Sequence, residues 1–189
     1  ARPEIQIYDF WPPDGAKWCE CDACKKLGTP SDRQALLVAQ VKESVAKVRP
    51  DLRFEVLAYH TSVYPPEHAK LDKSVLLDFC PISQQFDHQI NDPSAAKNKE
   101  YVDALTAWRK AFDGDISIYS YYRKYAWDSL PVIIPYYMQK DLQFYTGVPV
   151  QGVSTYAEPG DWCTYELNHY VLAALAWDPA FAAAADPSG

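Results

Sequence analysis

Five short runs rich in β-branched and aromatic residues recur along the chain, and the first of them alternates apolar and polar positions. Alternation with a period of two predicts a β-strand, because successive side chains of a strand point to opposite faces. Prolines, glycines or polar clusters bound each run. The predicted strands cover residues 5–10, 54–59, 74–80, 116–122 and 152–157.

Between these runs, apolar residues recur at intervals of three and four, which is the period of a helix. The first helix begins at Ser31 or Asp32, either of which can cap it, and ends before Pro50. The second follows a polar loop that ends near residue 97. It places three aromatic residues on one face, which we interpret as core: Tyr101, Trp108 and Phe112.

Two further helices are predicted over residues 139–145 and 164–177. Residues 130–137 form an ambiguous segment, since Val132 and its neighbours resemble a strand while Pro131 and Pro135 resist central pairing. We interpret this segment as a loop that leads into a helix.

Strands and helices that alternate every 30 to 40 residues predict an α/β fold with five parallel βα units. A closed eight-unit barrel needs about 250 residues. We therefore expect the C-terminal part of a (β/α)8 barrel, with an open α/β sheet as the alternative. The partial barrel would cover residues 1–178, and residues 179–189 would form a frayed alanine-rich tail. Exposed strand edges predict self-association or cover by an N-terminal barrel segment.

The net charge of −7 and the pI near 5.0 argue against nucleic acid or an anionic membrane as a partner. No apolar run reaches the ~18 residues of a membrane helix, and the first four residues do not resemble a signal peptide. Six tryptophans and 14 tyrosines supply flat faces with a polar edge, which suit carbohydrate.

Ligands of α/β folds gather where strands end and the following loops begin. Carboxylates and aromatic residues are concentrated at these positions. The candidates for substrate binding are Trp11, Tyr59, His60, His88, Tyr121, Arg123, Asp161 and Trp162.

Several motifs together resemble a known family. They are Pro13-Asp14-Gly15, the CxCxxC loop from Trp18 to Lys25, Ala58-Tyr59 with Pro65-Pro66, Asp78-Phe79-Cys80-Pro81, and the ending from Tyr156-Ala157-Glu158 to Trp177-Asp178-Pro179. The chain resembles a bacterial domain family of unknown function found in predicted glycoside hydrolases. The resemblance implies a barrel related to those of α-glucuronidases and hexosaminidases that binds or cleaves polysaccharide, but it implies no settled reaction.

Cys19, Cys21 and Cys24 are spaced closely enough to place three thiolates around one metal ion. Zinc requires four ligands, and Cys163 or Cys80 can supply the fourth, with His88 a weaker candidate. We take Cys163 as the fourth ligand and zinc as the candidate cofactor. The alternative is a Cys21–Cys24 or Cys19–Cys24 disulfide, or buried thiols. Five cysteines, an odd number, do not decide between an oxidising and a reducing compartment. We favour a secreted or periplasmic location.

Cleavage of a glycosidic bond requires two carboxyl groups, one protonated and one ionised. Glu158 and Asp14 are the predicted catalytic pair, because both stand in strand-end loops. Other acids remain possible: Asp9, Glu20, Asp78 and Asp161. The structural alternative is that Asp14 and Asp161 cap local turns while Glu158 only accepts hydrogen bonds.

The chain contains no GxGxxG, P-loop, GxSxG or HExxH motif, so nucleotide binding, serine hydrolysis and zincin chemistry lack sequence support. The expected function is that of a glycoside hydrolase-like domain. The alternative is a non-catalytic carbohydrate-binding or scaffold domain of a larger secreted protein.

Overall fold

The computed structural model describes residue 2 and residues 4–15, 17–128 and 131–178, apart from the side chain of Asp161. The tail predicted over residues 179–189 lies outside the described residues.

Five strands form one sheet in sequential order. They are β1 (Ile7–Asp9), β2 (Arg53–Ala58), β3 (Leu76–Phe79), β4 (Asp115–Ser120) and β5 (Val153–Thr155). The pairs β1/β2, β2/β3 and β4/β5 are parallel. Each predicted strand overlaps one observed strand, and β2 and β4 begin one residue earlier than predicted, so the α/β class is confirmed. The assignment to a barrel stays a prediction.

Five α-helices connect and follow the strands within the described ranges. They are α1 (Asp22–Lys25), α2 (Pro30–Ala46), α3 (Ala96–Ala111), α4 (Pro135–Thr146) and α5 (Glu166–Trp177). Helix α4 begins four residues before its predicted start. The reason is that proline is favoured in the first turn of a helix, where its missing N–H has no partner to lose. The short helix α1, within the cysteine loop, had no sequence signal of its own.

The chain divides into two compact units. Unit 1 contains the described residues up to Cys80 together with Ala104–Ser117, and unit 2 contains Pro81–Asp103 and the described residues from Ile118 onward. In unit 1, alternate residues of the central strands are buried and form the core with the apolar faces of the helices. These strand residues are Phe54, Val56, Ala58, Leu77 and Phe79.

Unit 2 has its own apolar core, in which helices α4 and α5 pack together. Its buried members are Phe86, Tyr122, Met138, Leu142, Leu172 and Leu175. A buried carboxylate, Asp141, lies on α4 in this unit. It accepts hydrogen bonds from Gln84 Nε2, the Ile90 backbone N–H and the Tyr122 hydroxyl. These bonds tie the loop after β3 to the helix.

Helix α2 is capped through Asp32, which is buried at the helix N-terminus. Asp32 and Thr29 form a reciprocal capping box, in which two backbone N–H groups at the start of the helix find acceptors. The other oxygen of Asp32 accepts the backbone N–H groups of His68 and Ala69. Burial raises the pKa of Asp32, but these backbone hydrogen bonds outweigh burial and lower it to about 2.

Candidate functional site

Three carboxyl groups share one face of the sheet in unit 1. Asp9 of β1 pairs in register with Glu55 of β2, and Leu57 of β2 pairs with Asp78 of β3. Residues in register share a face, and positions two apart on a strand share a face as well. Asp9, Glu55 and Asp78 therefore lie on the face opposite Phe54, Val56 and Leu77, and Asp78 is itself buried.

The carboxyl groups of Glu55 and Asp78 are hydrogen-bonded to each other. Burial and the negative charges of Asp78 and Asp9 raise the pKa of Glu55 to about 7. Burial also raises the pKa of Asp78, whose carboxylate accepts a hydrogen bond from the Ser117 hydroxyl. The cluster therefore holds a proton near neutral pH, which is the property required of a general acid.

A cavity of about 590 Å³ lies in the same unit. Its lining includes the aromatic rings of Phe10, Trp11, Trp18 and Tyr59, together with His60, Leu37 and two prolines. Trp11 also donates a hydrogen bond from its indole Nε1 to Glu55 Oε1 at 3.2 Å. One tryptophan thus contacts both the carboxyl cluster and the cavity.

Three sequence-predicted residues meet at the cavity wall. The Tyr59 hydroxyl donates a hydrogen bond to Asp14 Oδ1 at 3.0 Å, and the Tyr59 ring lies 4.1 Å from the His60 ring between centroids. His60 adopts a left-handed backbone conformation with φ of 49°. Such a conformation is uncommon for residues other than glycine and is concentrated at functional sites.

A second group of predicted residues converges in unit 2 around Tyr156. Its hydroxyl donates a hydrogen bond to Glu158, which raises the pKa of Tyr156. The Arg123 guanidinium lies 5.5 Å from the centre of the Tyr156 ring, and Tyr121 stacks on the same ring at 6.3 Å. Glu158, Arg123 and Tyr121 therefore form one polar and aromatic cluster around Tyr156.

The remaining predicted residues also lie in unit 2. His88 pairs with Asp87 at 2.9 Å, which raises the pKa of the imidazole. Trp162 is exposed and stacks on His169 at 4.4 Å. The side chain of Asp161 lies outside the described residues. Asp14 belongs to unit 1 and Glu158 to unit 2, and their assignment as a catalytic pair stays a prediction.

The sulfur atoms of Cys19, Cys21 and Cys24 all lie within 4.8 Å of one another. Hydrogen bonds from the Cys24 backbone and from the neighbouring thiols lower the pKa of Cys21 to about 7, whereas the neighbouring thiols raise the pKa of Cys24 to about 11. This convergence, which the spacing predicted, forms a group that can bind a metal ion.

The two cysteines considered for a fourth ligand have different surroundings. Cys80 is buried at the end of β3, and its thiol points to the Asp78 carbonyl at 3.5 Å. Cys163 is exposed and belongs to unit 2.

Comparison with protein families gives a match over residues 1–185 to the domain of unknown function DUF4838. The chain belongs to the DUF4838 family. No curated protein and no solved structure matches this DUF4838 domain significantly. Within the described residues of the domain, no helix is long and apolar enough to cross a membrane.

Glu55 is the residue of the DUF4838 domain that sequence reasoning missed. In the sequence it occupies an ordinary polar position between two apolar residues of β2, which is typical of any half-exposed strand. Its perturbed pKa arises only when the strand register brings Asp9 and Asp78 beside it. The sequence signal that could have identified Glu55 is the presence of one acid on each of the three neighbouring strands β1, β2 and β3.

We expect Glu55→Gln to remove a pH dependence from the stability of the domain. A pKa raised from 4.5 to about 7 contributes stability below pH 4.5, and this contribution is lost as the pH rises through 7. Partial solvent screening limits the loss to about 1–3 kcal/mol. Urea unfolding at pH 4.5 and pH 8 measures the difference, with exposed Glu43→Gln as the control. Equal pH dependence in all three proteins would contradict this assignment.

Proposed function

We propose that the DUF4838 domain is a glycoside hydrolase-like domain that acts on poly- or oligosaccharide, within a barrel of the (β/α)8 type. The main support is the arrangement in unit 1, where a carboxyl group with a pKa of about 7 is hydrogen-bonded to a tryptophan of an aromatic cavity. Glycosidases require a carboxylic acid that stays protonated near neutral pH.

The cavity supports carbohydrate as the ligand class. Its volume of about 590 Å³ lies within the range of about 300–1,000 Å³ that is typical of small-molecule sites. The rings of Trp11, Trp18 and Tyr59 supply flat apolar faces, on which a sugar ring can stack. Asp14, held by Tyr59, supplies a hydrogen-bond acceptor for hydroxyl groups near the same wall.

The strand order supports the barrel. Parallel strands that follow one another in sequence order, with helices between them, are the arrangement of the (β/α)8 architecture. In that architecture, functional groups gather at the C-terminal ends of the strands. Asp9 and Asp78 stand at such ends of β1 and β3, and Glu158 follows β5.

We assign the general acid to Glu55, and Glu158, which the sequence predicted to be catalytic, is the competing candidate for this role. In a Glu55→Gln variant the proton donor is lost, while the hydrogen bond from Trp11 can still be accepted. We expect turnover to fall by about 10²–10⁴-fold. A panel of p-nitrophenyl α- and β-glycosides identifies a cleaved substrate, and release of p-nitrophenol then measures kcat and KM.

Glu158→Gln is the matched comparison, since it makes the same chemical change in unit 2. A loss of kcat confined to Glu55→Gln supports Glu55 as the acid. A loss confined to Glu158→Gln places the acid in the Tyr156 cluster and refutes the assignment to Glu55. Unchanged kcat in both variants excludes both residues as the acid.

One observation favours a second candidate function, carbohydrate binding without cleavage. Glu55 and Asp78 are hydrogen-bonded, so these two groups are closer than the roughly 5–9.5 Å that separates the two carboxyl groups of glycosidases. A binding domain would show affinity for an oligosaccharide in calorimetry but no product, and Trp11→Ala would weaken that affinity.

For the cysteine cluster we propose zinc as the metal. Three thiolates suit zinc, which binds cysteine sulfur and completes a tetrahedron with a fourth donor. Elemental analysis of protein purified without a chelator tests the metal.

A further inference from the structure

The cysteine cluster and the cavity in unit 1 are joined by a short piece of backbone. Cys19 follows directly after Lys17 and Trp18, and both of those residues line the cavity. Trp18 is half-buried there, whereas Cys19 and Cys21 are exposed. The position of the Cys19 sulfur is therefore coupled to that of the cavity wall through a single peptide bond.

The three sulfur atoms are already close to the geometry of a metal site. Zinc–sulfur bonds of about 2.3 Å in a tetrahedron place sulfur atoms about 3.8 Å apart. The observed separations of up to 4.8 Å require a closure of about 1 Å. Small side-chain rotations provide that movement, so metal binding does not require the loop to refold.

The protein holds the backbone of this loop at both ends. Arg33 of α2 donates one hydrogen bond from Nη1 to the Cys19 carbonyl at 2.7 Å and another from Nε to the Gly28 carbonyl at 2.9 Å. Between these anchors, the Lys25 N–H bonds to the Cys21 carbonyl and forms the turn that brings Cys21 and Cys24 together. The sulfur atoms are thus presented by a preorganised loop.

The charges around the loop also suit a thiolate–metal complex. Three thiolates and one divalent ion carry a net charge of −1. Lys25 and Lys26 directly follow Cys24, and the Arg33 guanidinium contacts the backbone of Cys19. Glu20 and Asp22 carry negative charges within the same loop, and these cations offset them, so that the anionic complex does not form in a strongly negative environment.

We propose that Cys19, Cys21 and Cys24 bind one thiophilic d¹⁰ cation and that this ion fixes the Lys17–Trp18 wall of the cavity. Binding replaces the thiol protons, which are released to solvent, with bonds from sulfur to the metal. The ion then closes a ring from Cys19 to Cys24. With the wall held in this way, the cavity keeps the shape described above.

Zinc titration of the reduced protein tests the first half of the proposal. We expect one equivalent to bind, and substitution of cobalt to give thiolate-to-metal charge-transfer absorption. Cys21→Ser should weaken binding by at least about 100-fold, because a thiolate ligand is removed. Glu20→Gln is the control within the same loop and should bind like the wild type. Absence of binding, or equal weakening by Glu20→Gln, overturns the three-thiolate site.

Amide hydrogen exchange tests the second half. One equivalent of zinc should slow exchange at Lys17, Trp18 and Cys19 by at least about tenfold, because local opening then requires a metal–sulfur bond to break. Amides of α5 serve as the internal reference, and Cys21→Ser should abolish the effect. Zinc binding without slower exchange at Trp18 overturns the link to the cavity. Neither measurement uses carbohydrate, so failure here is distinguishable from failure of the proposed function.

Discussion

Asp141→Ala is expected to destabilise the protein by about 3–5 kcal/mol, since three buried donors in unit 2 lose their acceptor at once. Gln84 Nε2, the Ile90 N–H and the Tyr122 hydroxyl all bond to this carboxylate, at 2.6, 2.6 and 3.2 Å. A buried donor without a partner costs about 1–3 kcal/mol. This loss of stability comes from polar groups that stay buried without a partner. The cavity that the shorter side chain leaves is a separate, additional cost.

Chemical denaturation with urea measures this loss, and two further variants separate its causes. Asp141→Asn keeps one oxygen as an acceptor and should cost less than alanine. Asp103→Ala removes an exposed acid that pairs with Lys99, and such surface pairs contribute at most about 1 kcal/mol. A similar loss for Asp103→Ala and Asp141→Ala would show that burial of the Asp141 network is not the cause.

The raised pKa of Asp141 also predicts that the stability of the protein depends on pH. Burial raises its pKa from 3.8 to about 6, although its three hydrogen bonds act in the opposite direction. The raised pKa contributes stability below pH 3.8, and this contribution is lost as the pH rises through 6. The asparagine variant cannot ionise, so the corresponding decline in stability between pH 4 and pH 7 should be absent from it.

Gly28→Ala is expected to cost about 3 kcal/mol, through two effects that add. Gly28 has a φ of 98°, which a residue with a Cβ rarely adopts. A Cβ at this position would also lie 2.5 Å from Asp32 Oδ2 and 2.9 Å from Asp32 Cβ. Asp32 would have to move, and its movement would disturb the capping of α2 and the bonds to His68 and Ala69.

Gly15→Ala is the matched control, because Gly15 also has a positive φ, of 67°, but no atom lies within 4 Å of the added Cβ. We expect this variant to lose only about 1 kcal/mol of stability, which is the cost of placing a residue with a Cβ in this backbone conformation. Thermal unfolding of both variants separates the backbone effect from the clash. Equal losses would show that Asp32 can move aside without cost and would contradict the role given to it.

The sequence predicted the elements of this fold well because their signals are local. The strand Arg53–Ala58 and helix α2 follow from residues that are adjacent in the chain, although α2 is capped by Thr29 and not by the predicted Ser31 or Asp32. The start of α4 was predicted too late because prolines flank the Val132 segment, and Pro135 was interpreted as part of a loop. A proline interrupts a helix only after the first turn.

The candidate sites were predictable to the extent that they are local. The cysteine cluster lies within six residues, and its convergence follows from spacing and one short turn. The positions of Tyr59, Asp14, Arg123 and Glu158 after strand ends followed from the sequence, but the contacts of Tyr59 with Asp14 and of Arg123 with the Tyr156 ring did not. The protonated state of Glu55 could not be predicted from the sequence, because it depends on Asp9 and Asp78. These acids are separated from Glu55 by 46 and 23 positions in the chain.

The face of the sheet that carries these acids has a further property. Each of its first four strands contributes an ionisable side chain to unit 1, and Arg53 pairs there with Asp115 at 2.9 Å. An apolar surface laid on this face would remove carboxylates from water without offering them donors, at a cost of several kcal/mol for each ion. This face therefore favours contact with water or with a surface rich in hydroxyl and N–H groups, and it disfavours non-specific contact with apolar surfaces.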